Sequence, residues 1–168
     1  GCGICAGSCP SSTPFRRGQT LATGIDMPQR PVGELRQQLR EGLSASQDRL
    51  PIAVFCCREG ADASGLRLPG TVVLPLLCAG QLPPSFVEYA LRDGAAGVVV
   101  ASCRDGGCSF RLGARWTSER LAGAREPHLR PDLSKDRVML VPADLGEEVK
   151  LSEAVVTLRN RLRQIKAP

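Results

Sequence analysis

Ile52-Ala53-Val54-Phe55-Cys56-Cys57 is a short apolar run that stops on two thiols, and three more such runs follow it. They are Thr71-Val72-Val73-Leu74-Pro75-Leu76-Leu77, Gly97-Val98-Val99-Val100-Ala101 and Arg137-Val138-Met139-Leu140-Val141. None alternates apolar with polar residues, so each reads as a strand buried on both faces. The segments between them carry helical spacing. Pro84 to Arg92 begins with proline and stops before Gly94, Leu112 to Arg125 is a second helix, and Glu147 to Lys166 sets Leu151, Ala154, Val155, Leu158, Leu162 and Ile165 on one stripe. Strands alternating with helices predict an α/β domain with a small parallel sheet of about four strands flanked by helices. Pro75 removes a ladder donor, which places the second strand at an edge or a bulge.

Upstream, 16–50 is rich in Pro, Gly, Ser, Thr and Arg and reads as a linker. Within it Leu35, Leu39 and Leu43 mark a docking helix from Val32 to Leu43. Residues 1–15 open on Cys2-Gly3-Ile4-Cys5-Ala6-Gly7-Ser8-Cys9-Pro10. The spacing C-x2-C-x3-C-P is the tail of the bacterial ferredoxin run, whose first cysteine would fall before Gly1. Cys2, Cys5 and Cys9 are thus expected to ligate 4Fe–4S clusters, with the remaining ligands supplied by an upstream ferredoxin module. The domain proper is expected over 51–168.

Composition sets bounds. The chain has 168 residues, 42% of them hydrophobic and 23% charged, which suits one soluble domain with an appendage. No apolar run is long enough to span a bilayer and no export pattern opens the chain, so a cytoplasmic location is expected. Of the 22 basic residues behind the net charge of +5, 19 are arginine. One Trp and one Tyr provide no stacking platform for bases, so no nucleic acid is expected. A basic face suits an acidic redox partner instead.

The remaining cysteines sit at strand ends: Cys56 and Cys57 after the first, Cys78 after the second, Cys103 and Cys108 beyond the third. In a parallel sheet these ends share one edge, the edge at which such folds bind ligands. Five thiols at one edge point to a metal or redox site. Cys103 and Cys108 make a C-x4-C loop, a gap found in plant-type ferredoxins, with Gly106 and Gly107 inside it; Gly80 follows Cys78. Four-thiolate zinc shares this spacing, so a zinc-stabilised assembly module without redox activity is the alternative. Thiol–disulfide exchange through Cys56-Cys57 would leave the other three thiols idle. His128, the one histidine, has no cysteine near it in sequence and reads as a surface residue.

From Ile52 to Ala167 the chain resembles the delta subunit of methyl-viologen-reducing hydrogenase. The resemblance rests on Leu77-Cys78-Ala79-Gly80, on Pro84-Ser85-Phe86-Val87 leading to Gly94-Ala95-Ala96-Gly97-Val98, and on Cys103-x4-Cys108 followed by Gly113 and Arg115. Gly60-Ala61-Asp62-Ala63-Ser64-Gly65 is similar too. The resemblance implies one 2Fe–2S cluster on Cys78, Cys103, Cys108 and one of Cys56 or Cys57. It further implies a non-catalytic electron-transfer role in an oxidoreductase complex. The implied partners are a heterodisulfide reductase-like flavoprotein and a hydrogenase, formate dehydrogenase or other oxidoreductase. The family has C-x2-C after its first strand, where this chain has adjacent cysteines; it often has histidine and asparagine where Ser109 and Ala114 stand. Residues 1–15 resemble fused forms in which a dicluster ferredoxin module, or the end of the flavoprotein itself, precedes the delta domain.

Overall fold

The computed structural model describes residues 30–165 apart from 62, 64 and 134. The readings on Cys2, Cys5 and Cys9 fall outside these residues. Four strands, β1 (Ile52–Cys57), β2 (Thr71–Leu76), β3 (Gly97–Ser102) and β4 (Val138–Pro142), form one parallel sheet in the order β2-β1-β3-β4. β1 and β3, the two central strands, are buried throughout, as their unbroken apolar runs require. β2 is an edge strand, and Pro75 on it is exposed. The ring therefore costs no ladder bond on the open side.

Helix α1 (Val32–Ala45) extends two residues beyond the expected end. α2 (Pro84–Arg92) matches the expected bounds, while α4 (Glu148–Ile165) begins one residue later than expected, and its expected last residue, Lys166, lies outside the described residues. α3 spans Gly113–Ala122 and stops short of Arg125, because Gly123 takes a left-handed conformation (φ 87°) and its N–H closes the last turn on Arg120 and Glu119. One face of the sheet packs Ala53, Phe55, Cys57, Val98 and Val100 against the leucines of α1, Phe86 and Val87 of α2 and Ala114 of α3. The other packs Ile52, Val54 and Val99 against Ala154, Val155, Leu158 and Leu162 of α4. The period-two alternation of a strand thus sends neighbouring residues into different cores. Leu35, Leu39 and Leu43 lie in the same core as β1 and β3, so α1 is part of this layer. No helix among the described residues is long and apolar enough to cross a membrane.

Candidate metal centre at the carboxyl edge of the sheet

The chain leaves β1 toward β2 on one side, and later strands add on the other, so the order reverses between β1 and β3. Ligands of open α/β sheets bind at the carboxyl ends of the strands flanking such a reversal. Cys57 ends β1 and Cys103 follows β3, and their Sγ atoms stand 3.4 Å apart. Cys78, two residues past β2, lies next to Cys57, close enough that each thiol shifts the other's proton affinity. Cys108 arrives from the loop after β3. A Cβ built on Gly113 would lie 2.6 Å from Cys78 Sγ and 3.2 Å from Cys108 Sγ, so these two sulfurs lie against the same residue. Four thiols, drawn from positions up to 51 residues apart (57 to 108), share one buried spot.

Cys56 is not among them. Five thiols were expected at this edge, but adjacent residues on a strand point to opposite faces. The Cys56 side chain is buried on the α4 side with Ala61, Ala63, Ala101, Ala143 and Leu151. Of the pair left open by the sequence, Cys57 is the one that faces the other thiols. His128 is half-buried and pairs with Glu126, away from the cysteines.

Glycines make the space. The Gly80 N–H donates to Cys78 Sγ at 3.3 Å, and a Cβ on Gly80 would come within 2.8 Å of the Gly113 Cα. Side chains at either position would close the gap between the Cys78 turn and α3. Gly113 is the first residue of α3, so the positive dipole end of that helix lies against the sulfurs and favours negative charge there. The Thr117 hydroxyl donates to the Gly113 carbonyl at 2.8 Å and steadies this first turn.

The electrostatics single out one thiol, Cys57, for the thiolate form. Hydrogen bonding from Cys78 holds the Cys57 thiol well below its usual range, helped by Cys103 and by the backbone at Ala79 and Glu59. The donors pay the complementary shift. Cys78 is raised by the bond it makes to Cys57 and by burial, and Cys103 is pushed up to about 12, by burial first and by Cys57 second.

A clamp that sequence reasoning missed fixes the cysteine loop. The Arg104 N–H donates to Asp144 Oδ1 at 3.0 Å and its guanidinium pairs with Glu147, while the Asp144 N–H donates to Glu147 Oε2 at 3.0 Å. The loop after β3 is thereby tied to the loop after β4. Glu147 is held down to about 2, first by its hydrogen bond from Lys150, then by the Asp144 N–H and the charge of Arg104. The partners are some 40 residues apart, which hides the clamp from local pattern; only the acids opening the last helix hint at it.

The donor set is soft, buried and free of carboxylate, which suits iron–sulfur or zinc chemistry. Thiolates on one tetrahedral metal, with metal–sulfur bonds of about 2.3 Å, stand a little under 4 Å apart, close to the Cys57–Cys103 separation. Among the described residues no three His, Cys, Asp or Glu side chains surround a single ion position. The thiols come instead as two close sets, Cys57 with Cys103 and Cys78 with Cys108, with Cys78 next to Cys57.

A small parallel α/β domain with thiols gathered at its strand-order reversal is the class that this fold and this site define. Residues 52–166 match the family model described as methyl-viologen-reducing hydrogenase, delta subunit, and the chain belongs to that family. It is 28% identical over 111 residues to an iron-sulfur subunit of the F420-non-reducing hydrogenase vhc of Methanococcus voltae, covering 60% of this chain and 77% of the relative. An iron-sulfur subunit of the F420-non-reducing hydrogenase of Archaeoglobus profundus is 29% identical over 115 residues, 66% of this chain and 84% of its own. One subunit of the ferredoxin/F(420)H(2)-dependent CoB-CoM heterodisulfide reductase of Methanosarcina acetivorans is 25% identical over 141 residues, 79% of this chain and 18% of that longer protein. Relatives of this domain are therefore hydrogenase and heterodisulfide reductase subunits.

Proposed function

We propose that the chain is a non-catalytic electron-transfer subunit or domain with one 2Fe–2S cluster on Cys57, Cys78, Cys103 and Cys108. Its role is to relay electrons between a heterodisulfide reductase-like flavoprotein or ferredoxin-like module and an oxidoreductase such as a hydrogenase or formate dehydrogenase. The observation that carries this reading is the convergence of these four thiols, and only these among the described residues, at the carboxyl edge between β1 and β3. A 2Fe–2S cluster supplies one-electron redox chemistry without proton transfer or bond making. The chain's own residues supply four soft ligands, the Gly80 amide that already bonds Cys78 Sγ, the positive dipole end of α3 and a dry setting. Each of these tunes a potential through hydrogen bonding, charge and burial.

The heterodisulfide reductase relative supports the partner assignment. Its match takes in more of this chain than 52–166 and so reaches upstream of the delta domain. Cys2, Cys5 and Cys9 would lie on that side and would share 4Fe–4S clusters with ligands from a neighbouring ferredoxin module. The test of the main reading is anaerobic reconstitution of the chain with iron and sulfide. We expect visible absorption and, for the carboxyl-edge site, about two irons and two sulfides per chain. Stoichiometric zinc, with no iron retained and no visible band, overturns it and leaves the assembly module.

A further inference from the structure

Resting on that reading, a second feature lies against Cys78, one of the two less buried thiols. Cys78 and Cys108 keep 8% and 9% of their surface, against 2% each for Cys57 and Cys103. Beside Cys78, which forms part of its wall, opens a cavity of about 490 Å³, lined mainly by apolar atoms of Phe110, Leu112, Gly113 and Trp116 with Arg111. Phe110 and Leu112 are 49% and 43% exposed although neither fills a core. Arg111 between them is held at φ 59°, in the left-handed region, with its N–H closing a turn onto the Cys108 carbonyl at 2.8 Å. A non-glycine residue there costs about 1–2 kcal/mol, and the turn that imposes this also turns both flanking side chains outward.

The rim is basic. Arg111 lines the cavity, and the Arg120 guanidinium donates to the carbonyl of Gly80, another lining residue, at 3.3 Å. Glu119 already serves Arg115 and Arg125. Arg111 is exposed and makes no ion pair among the described residues. Small apolar centres with a charged rim fit transient protein contacts, in which charge steers the encounter and apolar area sets the fit.

We propose that Phe110, Arg111, Leu112 and Trp116 form the docking face for an acidic electron-transfer protein, and that electrons cross there on the Cys78–Cys108 side of the site. In each encounter the partner's centre loses one electron and the cluster gains it; no bond breaks and no proton moves.

The test mixes a dithionite-reduced plant-type ferredoxin, an acidic one-electron carrier, with the oxidised, reconstituted full chain in an anaerobic stopped-flow instrument. The second-order rate is expected to fall at least about tenfold between about 0.05 and 0.5 M salt. It should fall similarly in the double variant Phe110→Ser/Leu112→Ser and in Arg111→Asp, a residue tolerant of positive φ. Both variants should keep the wild-type visible spectrum and iron content, and Val156→Ser on α4 should change nothing. If the double variant loses iron, Arg111→Asp alone decides. Wild-type rates in iron-loaded variants, or a salt-independent rate with a chain dimer that Phe110→Ser/Leu112→Ser dissolves, overturn the docking face. A wild-type chain with no iron–sulfur absorption overturns the cofactor reading instead, and the docking face with it.

Discussion

At the scale of single residues, the adjacent pair Cys56-Cys57 is where one-dimensional spacing and three-dimensional placement part. Both end the same strand, yet one faces the thiols and the other is wrapped in alanines and Leu151. Cys57→Ser should abolish the visible absorption of the reconstituted chain. Cys56→Ala should keep it and lower stability by about 1 kcal/mol, read from a urea midpoint, since it only trims a small buried hydrophobe. Equal iron content in the two variants would disprove the assignment. Gly113 offers an independent check that touches no sulfur covalently. Its Cβ would stand 2.6 Å from Cys78 Sγ, a clash between a backbone-anchored carbon and a proposed ligand, so Gly113→Ala should cut iron content severalfold. Gly107→Ala in the cysteine loop, where the nearest atom would be 3.6 Å away, should hold a full complement of iron. Iron analysis after identical reconstitution compares the two.

At the scale of elements, α1 and the Arg104 clamp each make a claim. Composition reads 16–50 as linker, but Leu39 is fully buried in the core that α1, packed on β2 and α2, shares with the sheet. Leu39→Ala should therefore cost about 2–5 kcal/mol, as a core truncation does, where a loosely docked helix would lose almost nothing. Thermal unfolding of the two proteins measures it. The clamp predicts a pH window. The Glu147 carboxyl lies near 2 in the folded chain and near 4.3 when unfolded. A depressed carboxyl stabilises fully above its unfolded value and loses that contribution as pH falls toward its folded one. Because Glu147 sits at the surface, screening keeps the effect small. The stability gap between wild type and Glu147→Gln should thus be constant above about pH 5 and close as pH approaches about 2. A gap that persists to pH 2 would mean that charge is not what Glu147 contributes.

The strands, the edge position of β2, the bounds of α2 and the gathering of cysteines at one end of the sheet were all legible, because each depends on local runs and on chain order. Three things were not. The facing of Cys56 and Cys57 depends on strand phase, which an unbroken apolar run does not reveal. The C-terminal end of α3 depends on Gly123 adopting positive φ rather than on apolar spacing. The clamp joins residues 40 and 43 positions apart.

At the scale of the whole molecule, the question is whether the site holds the fold or the fold holds the site. β1 and β3 are buried on both faces by apolar side chains, with three helices over one face and α4 over the other, and this packing needs no metal. Small zinc domains differ, because most of their folding energy is metal binding. Here the four thiols bring their own positions: Cys57 by strand pairing, Cys78 by the 3-10 turn Ala79–Gln81, and the Cys103–Cys108 loop by the clamp to Asp144 and Glu147. An iron-free chain should therefore remain folded, with unchanged far-ultraviolet circular dichroism and a cooperative thermal transition. Binding to the native state alone must still raise stability, and a cluster bridging residues 57 to 108 also constrains the unfolded chain. The reconstituted protein should thus melt several degrees above the iron-free one under anaerobic conditions. The increment should vanish in Cys57→Ser and survive in Cys56→Ala. An iron-free chain without a cooperative transition would reverse the order of cause, making the thiol site the keystone of the sheet rather than its cargo.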